Sequence, residues 1–285
     1  MIKRLFLLAS SLLLAASAPA QTAPAPNPHP YTTLYVFGDS YSDSDSGYVD
    51  TNGPTAVAVL AQRLGIPFTF YGDPHYTPPE GLNFAISGAQ TGAGNGRRYP
   101  TGEMLSFGMK NQVANFVQFT KLGFIPKIDP DTTMFFFAGG LNDRGKPEGF
   151  TRTNIEDEID TLYALGGRRF MVAILPTKIP QFATAGEQFN PELEKIPAEE
   201  RAKHPDIRIA NSQWGAFLDE VITHPAKYGI TDTTHPCAGR FIHHEDTTPC
   251  ASPDTHFFYH DGHPSAATHR AVGAMLYTEA ITKAP

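Results

Sequence analysis

Among its 285 residues the chain has only two cysteines, Cys237 and Cys250, and a single tryptophan, and 18% of its residues are charged. Two thiols exclude a dense disulfide scaffold and a multi-thiolate metal centre, and leave material for one staple. Cations are scarce: 22 Lys and Arg face 29 Asp and Glu, for a formal net charge of −7. That sign repels phosphate backbones, which argues against nucleic acid as a partner, and it offers no general attraction to anionic membranes. The longest apolar stretch, Leu5 to Leu14, is too short to span a bilayer, so stable membrane insertion is not expected. Also missing are G-x-S-x-G, H-E-x-x-H, the Walker A pattern and G-x-G-x-x-G, which disfavours an ordinary α/β-hydrolase, a zincin, a P-loop enzyme and a dinucleotide binder. Glycine and proline, by contrast, are plentiful at 25 each, which speaks against a coiled coil or helical bundle and for a globular domain with long connections.

Residues 1–20 (MIKRLFLLASSLLLAASAPA) show two cations, a short apolar stretch and small residues, the three parts of a secretory signal peptide with cleavage expected after Ala20. No Cys comes directly after the cleavage point, so a bacterial lipid anchor is not expected. The expected location is periplasmic or extracellular. Residues 21–32, opening QTAPAPNPHP, read as an extended Pro-rich linker, and residues 33–285 as one domain. In an oxidising compartment Cys237 and Cys250 most simply form a disulfide, stabilising by about 3 kcal/mol on the chain-entropy model. A thiolate metal pair is the competing reading.

Along the domain, apolar runs at 33–37, 66–71, 133–138 and 169–175 read as strands, and periodic segments at 54–64, 110–122 and 153–165 as helices. Segment 176–203 is polar and Pro-interrupted and reads as a loop that covers the site; 207–222 and 266–281 read as the last helices. Alternation of this kind implies an α/β fold with a mostly parallel sheet covered on both faces, where chemistry collects at the C-terminal strand ends.

The loops at those strand ends hold the residue types that chemistry uses. The first strand runs into Gly38-Asp39-Ser40-Tyr41-Ser42-Asp43, placing a serine hydroxyl at a strand exit. NFAISGAQTG (83–92) and GGLND (139–143) bring glycines and a side-chain amide to further loops, the composition an oxyanion hole requires. YHDGHPS (259–265) supplies a histidine able to take the hydroxyl proton. Taken alone each segment has a bland reading as a turn, a cap or a surface histidine. Asp39 and Asp43 are expected to hold the loop through backbone N–H groups.

In this order, FGDSYSD, NFAISGA, GGLND and HPSAATHR resemble the four blocks of the SGNH or GDSL serine hydrolases, and LPTKIP is similar to a segment of the plant-type, lecithinase-like branch. The resemblance spans roughly residues 34–272. It implies a flavodoxin-like three-layer α/β/α sandwich and a serine esterase or lipase acting on carboxylic esters through an acyl-enzyme, without a cofactor or metal. By the same resemblance Ser40 is the nucleophile and one oxyanion donor through its N–H. Gly88 and Asn142 are the other donors, and His263 is the base.

Two departures stand out. Tyr41 replaces the usual leucine after the nucleophile. The family's acid lies three residues before the catalytic histidine, a position occupied here by His260, with Asp261 one residue closer. The expectation is that Asp261 reaches His263 and serves as the acid; a backbone carbonyl orienting a Ser-His dyad is the alternative, and Asp254 a distant substitute. A rival function comes from seven of the eleven histidines, which lie between His235 and His269 and suit a periplasmic metal-binding protein or a metallohydrolase. An inactive ligand-binding relative is a third possibility. Short-chain acyl, acetylated polysaccharide and lipid esters all remain open as substrates, and Tyr71, Tyr76, Tyr99 and Phe107 are candidates for a substrate wall.

Overall fold

A computed structural model describes residues 29–78, 80–283 and 285. The expected signal peptide lies outside the described residues, as does most of the expected linker. Six strands form the central sheet: β1 (Thr33–Gly38), β2 (Phe68–Phe70), β3 (Gly81–Asn83), β6 (Thr133–Ala138), β7 (Arg169–Ala173) and β8 (Arg208–Ser212). Their spatial order is β2-β3-β1-β6-β7-β8, and every neighbouring pair is parallel. Every residue of β1, β6 and β7 is buried, which is why these strands read as unbroken apolar runs. Tyr35, Phe37, Phe84, Phe116, Phe135 and Phe170 make tilted, stacked and edge-on ring contacts through the core.

One helical layer contains α1 (Ala56–Arg63), α6 (Trp214–Thr223) and α7 (Ala266–Lys283); the other contains α2 (Met109–Lys121), α3 (Phe150–Ala164), α4 (Ala183–Leu193) and α5 (Ile196–Lys203). This is the three-layer α/β/α arrangement. Two hairpins stand apart from the sheet, β4 (Asn95–Arg98) with β5 (Met104–Phe107) and β9 (Phe258–His260) with β10 (His263–Pro264). The chain winds from β1 toward β3 and β2 and then returns to place β6 on the other flank of β1. The exits of β1 and β6 therefore flank the switch point where open α/β sheets form their crevice.

Three sequence expectations need correction. Segment 176–203 is a loop only as far as residue 182 and carries the helices α4 and α5 from Ala183 on: Phe182, Ala185, Phe189, Leu193 and Ile196 are buried at helical spacing, and Pro191 is accommodated inside α4. Segment 207–222 divides into β8 and α6, because Arg208 to Ser212 pair with β7 before Trp214 begins the helix. The linker does not extend to residue 32. Tyr31 is buried, its hydroxyl donates to the Pro285 carbonyl at 2.9 Å, and Thr32 N–H donates to Thr132.

Candidate active site

Ser40 lies two residues beyond β1, and the loop is tied at both ends. Ser42 and Asp43 N–H donate to the Asp39 carbonyl, while Tyr41 N–H donates to Asp39 Oδ1 at 3.1 Å. Asp43 accepts from Gly47 N–H at 2.9 Å and from Ser87 N–H at 2.7 Å, joining this loop to the block that contains Gly88. Burial pushes the Asp39 carboxyl up to about 7 and that of Asp43 up to about 8, the N–H donors offsetting only part of the desolvation.

His263 arrives from β10. Its Nε2 lies 2.9 Å from Ser40 Oγ, and both residues are buried. Its Nδ1 lies 2.8 Å from the main-chain carbonyl of Asp261. A carbonyl can only accept, so Nδ1 carries the proton and Nε2 presents a lone pair to the hydroxyl. Burial lowers the His263 pKa, with Arg240 and His260 acting in the same direction and Asp50 opposing them, so the ring is neutral near pH 7 and ready to accept a proton.

The Asp261 carboxylate does not reach the ring. It accepts from Gln181 Nε2 at 2.6 Å on the surface. Only Gly262 separates it from His263, and the left-handed turn there (φ +69°) directs the Asp261 carbonyl, not its side chain, toward Nδ1. Asp254 is further removed, paired with Arg270.

Asn142 lies four residues beyond β6, and its Nδ2 donates to the Ala89 carbonyl at 3.0 Å, which fixes the amide against the turn at Gly88. Gly88 holds φ +75°, where a non-glycine residue would be strained, and an added Cβ would meet Ser106 Oγ at 2.9 Å. Among the described residues neither the Ser40 nor the Gly88 backbone N–H donates to a protein acceptor. These two donors, and the second amide hydrogen of Asn142, remain for an oxygen outside the chain.

Several neighbours give no chemical signature in the sequence. Tyr41 OH donates to the Gly262 carbonyl at 2.7 Å and its ring meets His263 edge-on, binding the serine loop to the histidine turn. Asp50, buried behind the pair, lies with Oδ2 3.5 Å from His263 Nε2. Asp50 also accepts from Ser87 Oγ at 2.9 Å and from Arg240 Nη2 at 3.1 Å, with Arg240 Nε 2.8 Å from Oδ1 and His260 Nδ1 3.1 Å from Oδ1. Burial pushes the Asp50 pKa up, but His263, His260 and Arg240 together outweigh it and hold the carboxyl below its usual value. Arg240 sits on the loop closed by the Cys237–Cys250 disulfide. Asp50 reads as an ordinary turn residue in VDTNGP, and Arg240 is 190 positions away, so sequence spacing could not pair them.

Apart from His260 and His263, which both approach Asp50, the histidines of the C-terminal third do not converge. His235 meets Asp232, His243 meets Glu245, His260 meets Asp50, His263 meets Ser40, and His269 accepts from Ala56 N–H. His256 lies near Cys250, whose sulfur is committed to the disulfide. Of the candidate wall residues, Tyr71 and Tyr76 pack against the core, and Phe107 and Tyr99 belong to or adjoin the β4–β5 hairpin.

Comparison with known proteins agrees with the geometry. The family model for GDSL-like lipase/acylhydrolase matches residues 34–276. A GDSL esterase/lipase of Arabidopsis thaliana is 25% identical over 279 residues, covering 80% of this chain and 75% of the relative; a second is 24% identical over 156 residues, covering 46% and 43%. Solved structures that align include a lipolytic G-D-S-L family protein from Veillonella parvula, at TM-score 0.49 and 12% identity over 86% of this chain and 96% of that one. A carbohydrate acetylesterase from Sinorhizobium meliloti aligns at TM-score 0.44 and 12% identity over 87% of this chain and 97% of that one. With a family model spanning residues 34–276, nearly the whole described chain, the protein belongs to the GDSL lipase/acylhydrolase family of carboxylic ester hydrolases.

Proposed function

We propose that the protein is a secreted serine esterase that cleaves carboxylic esters through an acyl-enzyme. The contact of 2.9 Å between Ser40 Oγ and a neutral, carbonyl-oriented His263 carries this reading. Ser40 Oγ attacks the ester carbonyl carbon as its proton passes to His263 Nε2. The tetrahedral oxyanion is held by Ser40 N–H, Gly88 N–H and Asn142 Nδ2. Collapse breaks the bond to the alcohol oxygen, which takes the proton from Nε2, and water then releases the acid by the same steps in a second cycle. No step requires a metal or a cofactor.

The signal-like leader and the disulfide support secretion. The substrate class is an ester of a small molecule, a lipid or an acetylated polysaccharide. p-Nitrophenyl esters of increasing chain length, run beside acetylated xylan and phosphatidylcholine, rank these. The reading expects ester turnover that survives EDTA and disappears in Ser40→Ala; turnover that EDTA abolishes would return the histidine-metal reading.

A further inference from the structure

In a Ser-His-Asp triad one carboxylate does two jobs: it fixes the tautomer and orientation of the imidazole through Nδ1, and it balances the positive charge that forms when the serine proton arrives. Here His260 stands where the family's carboxylate would be, and the Asp261 side chain faces solvent. The first job is done by the Asp261 carbonyl, 2.8 Å from Nδ1. A neutral carbonyl cannot do the second, and an imidazolium with no anion would be costly in a site this buried.

We propose that Asp50, supplied by the loop downstream of the nucleophile, is the displaced counter-charge of this active site. It balances the His263 imidazolium while the Asp261 main chain orients the ring. This rests on reading Ser40 as nucleophile and His263 as base. Asp50 Oδ2 stands 3.5 Å from His263 Nε2, the nitrogen that receives the proton, and no other carboxylate is within ion-pair distance of that ring among the described residues. Its remaining partners keep it ionised and fixed. Arg240 engages both oxygens, Ser87 Oγ donates to Oδ2, and His260 Nδ1 donates to Oδ1. His260 is in turn stacked on Tyr48, and the Arg240 guanidinium lies 5.0 Å from the centroid of that tyrosine ring. The residue that replaces the usual acid thus serves as a hydrogen-bond donor to an acid brought from elsewhere. Before attack the Nε2 lone pair accepts from Ser40. After attack Nε2 bears the proton, and the nearby carboxylate faces a full positive charge until the leaving alcohol removes that proton.

Asp50 is a positioning and charge-balancing residue, and the test is the pH profile of Asp50→Asn. The groups facing His263 are Asp50 and Tyr41 from the serine loop, Arg240 from the disulfide loop, His260 from β9 and His269 from α7. Asp50 raises the pKa of His263, whereas Arg240 and His260 lower it. Removing the carboxylate therefore moves the acid limb of kcat/KM to lower pH, by roughly 1 unit for an opposite charge at this range. kcat should fall about 10²-fold with KM nearly unchanged, less than the ~10⁴-fold loss in a triad, because the tautomer is secured separately. Asp50→Asn leaves Arg240 buried beside a neutral amide and could unfold the site, so Asp50→Asn/Arg240→Gln is measured with it. In the double variant kcat stays low, and the limb returns part of the way because Arg240 no longer repels the imidazolium. A folded Asp50→Asn enzyme with wild-type kcat, a slowed one whose acid limb has not moved, or a double variant restored to wild-type kcat would each overturn the role of Asp50. Ser40→Ala is run in parallel. If it is inactive while Asp50→Asn is normal, only the role of Asp50 fails; if Ser40→Ala is active, the esterase reading fails and takes this inference with it.

Discussion

Cutting the link between Cys237 and Cys250 perturbs both the fold and the site, because the loop it closes carries Arg240 to Asp50. The sequence separation is 13, and the chain-entropy relation for a loop of that size gives about 3 kcal/mol of stabilisation. For a domain of this length that corresponds to a fall in Tm of roughly 6–12 °C in the Cys237→Ser/Cys250→Ser variant. The loop keeps its own backbone bonds, Cys250 N–H to Cys237 O at 2.7 Å and Gly239 N–H to Asp246 O at 2.8 Å, so it should loosen without detaching. Differential scanning calorimetry measures the first effect. The second is a double-mutant comparison. If the disulfide acts on catalysis by holding Arg240 on Asp50, the loss of kcat caused by Arg240→Gln should shrink when the disulfide is already absent, since contacts in one network are not additive. A Tm within about 2 °C of wild type would refute the stability argument, and fully additive kinetic losses would refute the coupling through Arg240.

Asn142→Ala removes one of the proposed oxyanion donors and should lower kcat about 10²- to 10³-fold with Tm little changed; a loss below about tenfold would take Asn142 out of the proposed oxyanion hole. His269, fully buried and accepting from Ala56 N–H at the start of α1, is pushed down to about 3 by burial and by His263. The unfolded chain binds that proton near pH 6.5 and the folded chain only near 3, so its contribution to stability is complete above 6.5 and is lost as pH falls through this window. Between pH 7 and 5 the loss is on the order of 2 kcal/mol. Asp39 and Asp43, both raised by burial, contribute a slope of opposite sign, so the measurement is the difference in urea-unfolding free energy between wild type and His269→Gln. Equal pH slopes in the two proteins would contradict the assignment.

The central sheet was legible because β1, β6 and β7 are buried on both faces, so each appears as an apolar run, ending at Gly38, Gly139 and Pro176 respectively. Segment 176–203 was not, because its prolines outweighed a buried stripe whose period could be counted from Phe182 to Ile196. β8 was hidden for a different reason: between Arg208 and Ser212 the apolar residues are Ile209 and Ala210 alone, and so short a strand at the sheet edge looks no different from the start of a helix. At the site, the strand-end blocks stood out by residue type, and the fold brings Ser40 within 2.9 Å of His263 and Asn142 within 3.0 Å of the Ala89 carbonyl beside Gly88. The orientation of His263 could not be read in this way. A one-residue change in spacing before it turned the Asp261 side chain outward and its carbonyl inward, and the carboxylate near the ring comes from Asp50, far earlier in the chain.

The central claim is that Ser40, acting with His263, forms the covalent acyl intermediate. Its most direct test is reaction of the purified protein with a p-nitrophenyl phosphonate, and then peptide mass mapping. One adduct per chain is expected, on Ser40, formed with release of one equivalent of nitrophenol and strongly slowed in His263→Ala. An adduct on another residue, or no adduct from a protein that still hydrolyses esters, would contradict it.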